Sequence, residues 1–168
     1  MRYNIIIKKI SLMFLALALS ASFVSCEQQE SMPDESDIAL DAFGMRGKWV
    51  VDITWDGDDQ GTNTIITYNT GDNSSTEMWL DDLGHGWGLK AKVNVDPNAL
   101  TFSANDSDEL YYGVTVTITE GQIVKNGATS PTGDVVDSIT FKADFSDIPG
   151  EIWEYTGYRS TAKIDDLP

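Results

Sequence analysis

The sequence predicts an all-β fold, a sandwich or an eight-stranded antiparallel up-and-down barrel. Three observations lead there. Short runs of alternating apolar and polar residues recur from Arg46 to Ser160. Clusters of Gly, Asp, Asn and Pro punctuate them. No long stretch repeats apolar residues at helical spacing. An open sheet of this size would expose an apolar face and two edges. A sandwich buries the face, but only a closed barrel also removes the edges.

The elements follow in order. Residues 46–55 form the first strand, with Trp49, Val51, Ile53 and Trp55 on one face. Residues 56–61 read as a turn cluster. Residues 62–70, rich in Thr, Ile and Tyr, form the second strand, and residues 76–82 a short third. Residues 87–95 alternate cleanly, which puts Trp87, Leu89, Ala91, Val93 and Val95 on the inner face of a fourth. Leu100, Phe102 and Ala104 mark a fifth strand, which residues 105–108 are expected to break. Tyr112, Val114, Val116 and Ile118 line a sixth. Residues 122–134 read as the longest connection, a loop with a short irregular strand at 122–125. Ile139, Phe141, Ala143 and Phe145 mark the seventh strand, and residues 152–160 the eighth.

The chain ahead of the barrel reads differently. Arg2, Lys8 and Lys9 precede an apolar run at residues 10–24, then Ser25 and Cys26. That is a secretory signal, too short for an ordinary membrane span. A small residue followed by cysteine resembles a bacterial lipoprotein signal, which implies that Cys26 is lipidated and anchors the protein to a membrane. The alternative is a cleaved signal followed by a free thiol. Cys26 is the only cysteine, so no intrachain disulfide forms. The expected organisation is a signal peptide at 1–25, an acidic tether at 26–41 and a β-barrel domain at 42–168. Residues 38–43 read as a helical turn covering one end of it. The location implied is the cell envelope, as an outer-membrane lipoprotein, with the periplasmic and outward faces both open.

The 168-residue chain carries 27 acidic against 11 basic residues, a formal charge of −16. Such a surface repels nucleic acid and anionic headgroups, so nucleic acid is not an expected partner. The simplest role of the charge is solubility.

Gly47-Lys48-Trp49 at the start of the first strand, with Arg159 near the end of the last, resembles the calycin arrangement of lipocalins, fatty-acid-binding proteins and avidins. The resemblance implies that Trp49 plugs the barrel floor with Arg159 packed across it. The acidic tether, Gly-x-Trp, Met78-Trp79-Leu80-Asp81, Lys92-Val93-Asn94-Val95, Leu100-Thr101-Phe102 and the 154–159 run (Glu154-Tyr155-Thr156-Gly157-Tyr158-Arg159) are together similar to a family of lipoproteins described as lipid-binding putative hydrolases. That likeness implies a fold and a ligand class, and transfers no activity by itself.

The candidate site residues are mainly aromatic. Trp55, Trp87, Phe102 and Phe141 are expected to wall a cavity for a small apolar or amphipathic, lipid-like ligand. The rival reading for each is core packing. His85, the only histidine, lies between glycines and is the one candidate general base. No Gly-x-Ser-x-Gly elbow accompanies it, so a hydrolase at the barrel mouth is the alternative rather than the main reading. Its plainer role is a surface-turn histidine. Asp56 to Gly61 resembles the opening of a calcium loop, but Thr67 stands where the bidentate glutamate belongs. The residues imply no metal and no cofactor. Glu154, flanked by Trp153 and Tyr155, is the strand acid to inspect for catalysis; alternation points it outward. Trp79 alternates with Met78 and Leu80, and if outward it could contact a sugar or a protein, the third functional class.

Overall fold

The computed structural model describes residue 40 and residues 43–168. The signal peptide, Cys26 and nearly all of the tether lie outside the described residues. Eight antiparallel strands close into a barrel in sequence order: β1 (Gly47–Trp55), β2 (Asp58–Asn69), β3 (Glu77–Asp81), β4 (Lys90–Asp96), β5 (Thr101–Asp108), β6 (Thr115–Thr129), β7 (Val135–Phe145) and β8 (Ile152–Arg159). The seam pairs β1 with β8, with Trp49 opposite Arg159 and Trp55 opposite Trp153. Gly157 permits the close approach there: a Cβ at this position would lie 2.0 Å from the Val50 carbonyl oxygen. A 3₁₀ turn, Ile164–Asp166, follows the last strand.

Because consecutive strands are antiparallel neighbours, their connections alternate between the two ends. The β1–β2, β3–β4, β5–β6 and β7–β8 connections gather at one end, called here the open end. The start of β1, the end of β8 and the β6–β7 turn lie at the other, the closed end. Inward residues Trp49, Val51, Ile53, Ile65, Met78, Leu80, Ala91, Val93, Ile118, Ile139, Phe141 and Tyr155 form a continuous buried core. Leu40 and Met45 join it, and Met45 N donates to Leu40 O at 3.1 Å.

Three boundaries differ from the expectation. Asp56-Gly57 alone makes the β1–β2 turn, both at positive φ (49° and 89°), as a two-residue hairpin of the Asp-Gly kind requires. Asp58 to Gly61 are therefore strand, not a calcium loop, and Asp59 Oδ1 accepts from Gly61 N at 2.8 Å. β4 starts at Lys90, so Trp87 is in a loop rather than on a strand face. β5 continues through residues 105–108, with register shifts that accommodate its polar run.

The largest correction is β6. Residues 122–129 are strand, not loop, and make β6 the longest element at 15 residues. Val116 and Ile118 point inward, then Gly121 and Ile123 do. The step of three falls where the β6–β7 register shifts between Thr119 and Gln122, with Glu120 at φ 54°. One extra residue in a bulge flips the parity, so strict alternation stops matching the strand. Tyr112, expected inside, is on the β5–β6 turn and exposed.

Candidate functional site

The closed end is capped by Trp49 and Arg159. Trp49 is buried, and its Nε1 donates to Thr67 Oγ1 at 2.9 Å. The Arg159 guanidinium stands 4.3 Å from the Trp49 ring centroid, within cation–π range. The same guanidinium donates to Arg46 O at 2.6 Å, to Gly44 O, and to Asp137 Oδ2 at 3.3 Å. Burial pushes the Asp137 carboxyl upward. Hydrogen bonds from Asn126 N and Lys125, with the charges of Lys125 and Arg159, outweigh it and hold the group below the usual range.

The open end is built from three tryptophans and two acid-pinned loops. Trp55 ends β1 and Trp153 opens β8 on the partner rung. Their rings stack at 5.7 Å and 11°. Trp87 descends from the β3–β4 loop onto Trp153, centroids 5.0 Å apart. That loop is shaped by Asp82, whose buried carboxylate accepts from Gly84 N at 2.8 Å and Gly88 N at 2.9 Å. These bonds draw residues 82–88 out of the ladder and carry Trp87 with them.

Glu109 does the same for the β5–β6 turn. Its buried carboxylate accepts from Lys90 N at 3.1 Å and from Tyr111 N and Tyr112 N, both at 2.7 Å. Tyr111 then reaches Asp81 Oδ1 at 2.7 Å, and Asp81 also takes Lys90 at 3.0 Å and Tyr68 at 3.1 Å. Burial and the Asp81 carboxylate push the Tyr111 hydroxyl up to about 12. Tyr112 is left lying across Gly88, beside Trp87. Asp81, Asp82 and Glu109 were not singled out from the sequence. The available signal was an acid two residues before a turn glycine or tyrosine, which is common in ordinary turns.

Two clefts meet on Gly86 and Trp87. One, of about 230 Å³, is bordered by Ile53, Trp55, Gln60, Asn63, His85 and Trp153. The other, of about 570 Å³, is bordered by Tyr112, Val114 and Asp147. Trp87 is 39% exposed and Tyr112 69% exposed. Trp55 and Trp87 are thus brought together. Phe102 and Phe141 are not with them: Phe141 stacks on Tyr155 at 4.3 Å and Phe102 packs on Phe141 at 5.8 Å, both nearly fully buried. Each borders a separate cleft, Phe102 one of about 380 Å³ beside the β4–β5 connection and Phe141 one of about 160 Å³ with Glu120 and Glu154.

The remaining candidates are dispersed. His85 is exposed at the rim of the smaller cleft, its backbone N–H on Asp82 O. Glu154 is outside the barrel, 3.4 Å from Lys142, which also meets Glu120 at 3.1 Å. Trp79 faces outward beneath Lys92, 5.7 Å from the ring centroid. Among the described residues no group of three or more His, Cys, Asp or Glu is placed to hold a metal ion.

Several polar atoms at the open end are buried without a protein partner: Trp55 Nε1, Trp153 Nε1 and Tyr155 Oη. Each such orphan costs about 1–3 kcal/mol. Trp153 is 5% exposed and Tyr155 fully buried. Burial, then the nearby Asp82 charge, drives the Tyr155 hydroxyl well above its ordinary value.

No curated protein matches the chain. A family model described as "lipid-binding putative hydrolase" matches residues 34–163, beginning inside the stretch read as a tether. With a closed eight-stranded barrel and a match over most of its length, the chain belongs to the lipid-binding putative hydrolase family.

Proposed function

We propose that this protein is a lipid-anchored, extracytoplasmic binding protein whose open end takes a small apolar or amphipathic, lipid-like ligand. The observation that carries the reading is the pair of clefts meeting on Trp87, where partly exposed aromatic rings line space above the buried core. Together they reach the roughly 300–1,000 Å³ typical of small-molecule sites. An acyl chain laid along Trp87, Tyr112 and Val114 gains about 25 cal/mol per Å² buried. The family description favours a lipid as the ligand. The anchor and the location rest on the leader sequence.

Binding is favoured over hydrolysis by the lining of the smaller cleft. It offers one imidazole, two amides and apolar rings but no Ser, Thr or Cys nucleophile, and the carboxylate beside it, that of Asp82, accepts from Gly84 N and Gly88 N. The test is native mass spectrometry of protein purified without detergent. A co-purifying lipid-like species, lost in Trp87→Ala, is the expected result. Protein that carries nothing and binds no acyl probe rejects the reading. Esterase turnover abolished by His85→Ala would establish the hydrolase instead.

A further inference from the structure

The orphan donors at the open end indicate which kind of polar group the ligand carries. Trp55 and Trp153 border one cleft, their rings stacked; both Nε1 atoms lie buried beneath its surface with no protein acceptor, so a ligand reaches them by parting the lining side chains. Tyr155 Oη adds a third such donor one inward step along β8. Gln60 and Asn63 border the same cleft with neutral amides. No Lys or Arg borders either cleft. The nearest fixed charge is negative. The Asp82 carboxylate is fully buried, and a Cβ on the lining residue Gly86 would lie 2.7 Å from its Oδ2. Both Asp82 oxygens already accept backbone N–H groups.

An ionised acid seated here would meet a buried like charge with no cation to offset it. A neutral carbonyl carries no net charge to oppose Asp82 and can accept from the indole N–H groups. Resting on the binding reading above, we propose that the open end recognises a neutral acyl ester, such as a monoacylglycerol, whose carbonyl accepts from the indole N–H groups of Trp55 and Trp153, in preference to an ionised fatty acid. The acyl chain then runs along Trp87 toward Tyr112.

The test titrates the intact ¹⁵N-labelled protein with monodecanoyl glycerol and with decanoate at mildly alkaline pH, observing the tryptophan indole resonances. Trp55→Phe and Trp153→Phe assign those resonances, and each keeps an aromatic ring while removing the donor. The ester should move both indole N–H signals downfield and bind at least about tenfold tighter than decanoate. Each Phe variant should weaken the ester by about threefold to tenfold. Saturable ester binding with both indole signals unmoved, or decanoate binding as tightly, overturns this inference while leaving the binding reading in place. Failure of both probes to bind overturns both.

Discussion

At the closed end, Trp49 Nε1 has Thr67 as acceptor, and Arg159 covers the ring while donating to two carbonyls and Asp137. At the open end, Trp55 and Trp153 stack on each other and neither indole N–H has a protein acceptor. Both ends place a tryptophan of β1 inward, opposite Arg159 of β8 at the closed end and opposite Trp153 at the open end. They differ in whether the indole N–H is satisfied. A site whose donors are all engaged contributes to the folded state and has none left for a ligand. A site with buried, unengaged donors gives up stability and can recover it by binding. On the proposed reading, the closed end stabilises the fold and the open end recognises the ligand.

The sharpest way to break this division is Trp49→Ala. It should cost about 3–5 kcal/mol in denaturant unfolding, because it empties a large buried volume and leaves Thr67 and Arg159 without their partner. A cost near that of an exposed aromatic would dissolve the distinction.

A second, smaller effect tests the closed end through acid. The buried Asp166 carboxyl is pushed up by burial, but bonds from the Thr161 and Thr132 hydroxyls and Thr132 N prevail and hold it at about 2. A folded pKa below the unfolded one stabilises the fold above the unfolded value and stops doing so as pH falls through the folded one. The contribution should thus be complete above about pH 4 and vanish toward about pH 2. Asp166→Asn should lower the melting temperature at neutral pH and flatten its fall across that window. An acid limb identical to that of the unaltered protein would show that this clasp contributes nothing.

The smallest stability effect is expected at the open end. Trp87→Ala should cost about 1 kcal/mol or less, since the ring is partly exposed and its main loss is one aromatic contact. Binding of an acyl probe, followed by its fluorescence, should nonetheless fall by more than about tenfold. A large stability loss with unchanged binding would reverse the roles of the two ends.

Much of this architecture was legible in the chain. β7 from Ile139 to Phe145 and β8 from Trp153 to Tyr155 alternate because one face is buried there, and β1 does so at Trp49, Val51 and Ile53, although Val50 on its other face is buried too. Trp49 and Arg159 are far apart in sequence, and only the resemblance to calycins joined them before the ladder paired them. Trp87 was misplaced because alternation from 87 to 95 is genuine as a pattern. Asp82, five residues upstream, binds the intervening N–H groups and bends the chain away. The site's supporting acids were hidden for a related reason. Glu109 is buried because Lys90 N, 19 residues away, and two turn N–H groups come within reach of its oxygens.

What the sequence determined by itself, then, is the all-β class and the acidic exterior. These follow from local periodicity, turn chemistry and composition, which are properties of short stretches. Tertiary structure alone decided which carboxylates are buried, where the β6 bulge reverses parity and which indole donors are left unengaged. Each of these depends on whether a partner from a distant strand arrives within about 3 Å, the reach of a hydrogen bond. No periodicity along one strand encodes that distance.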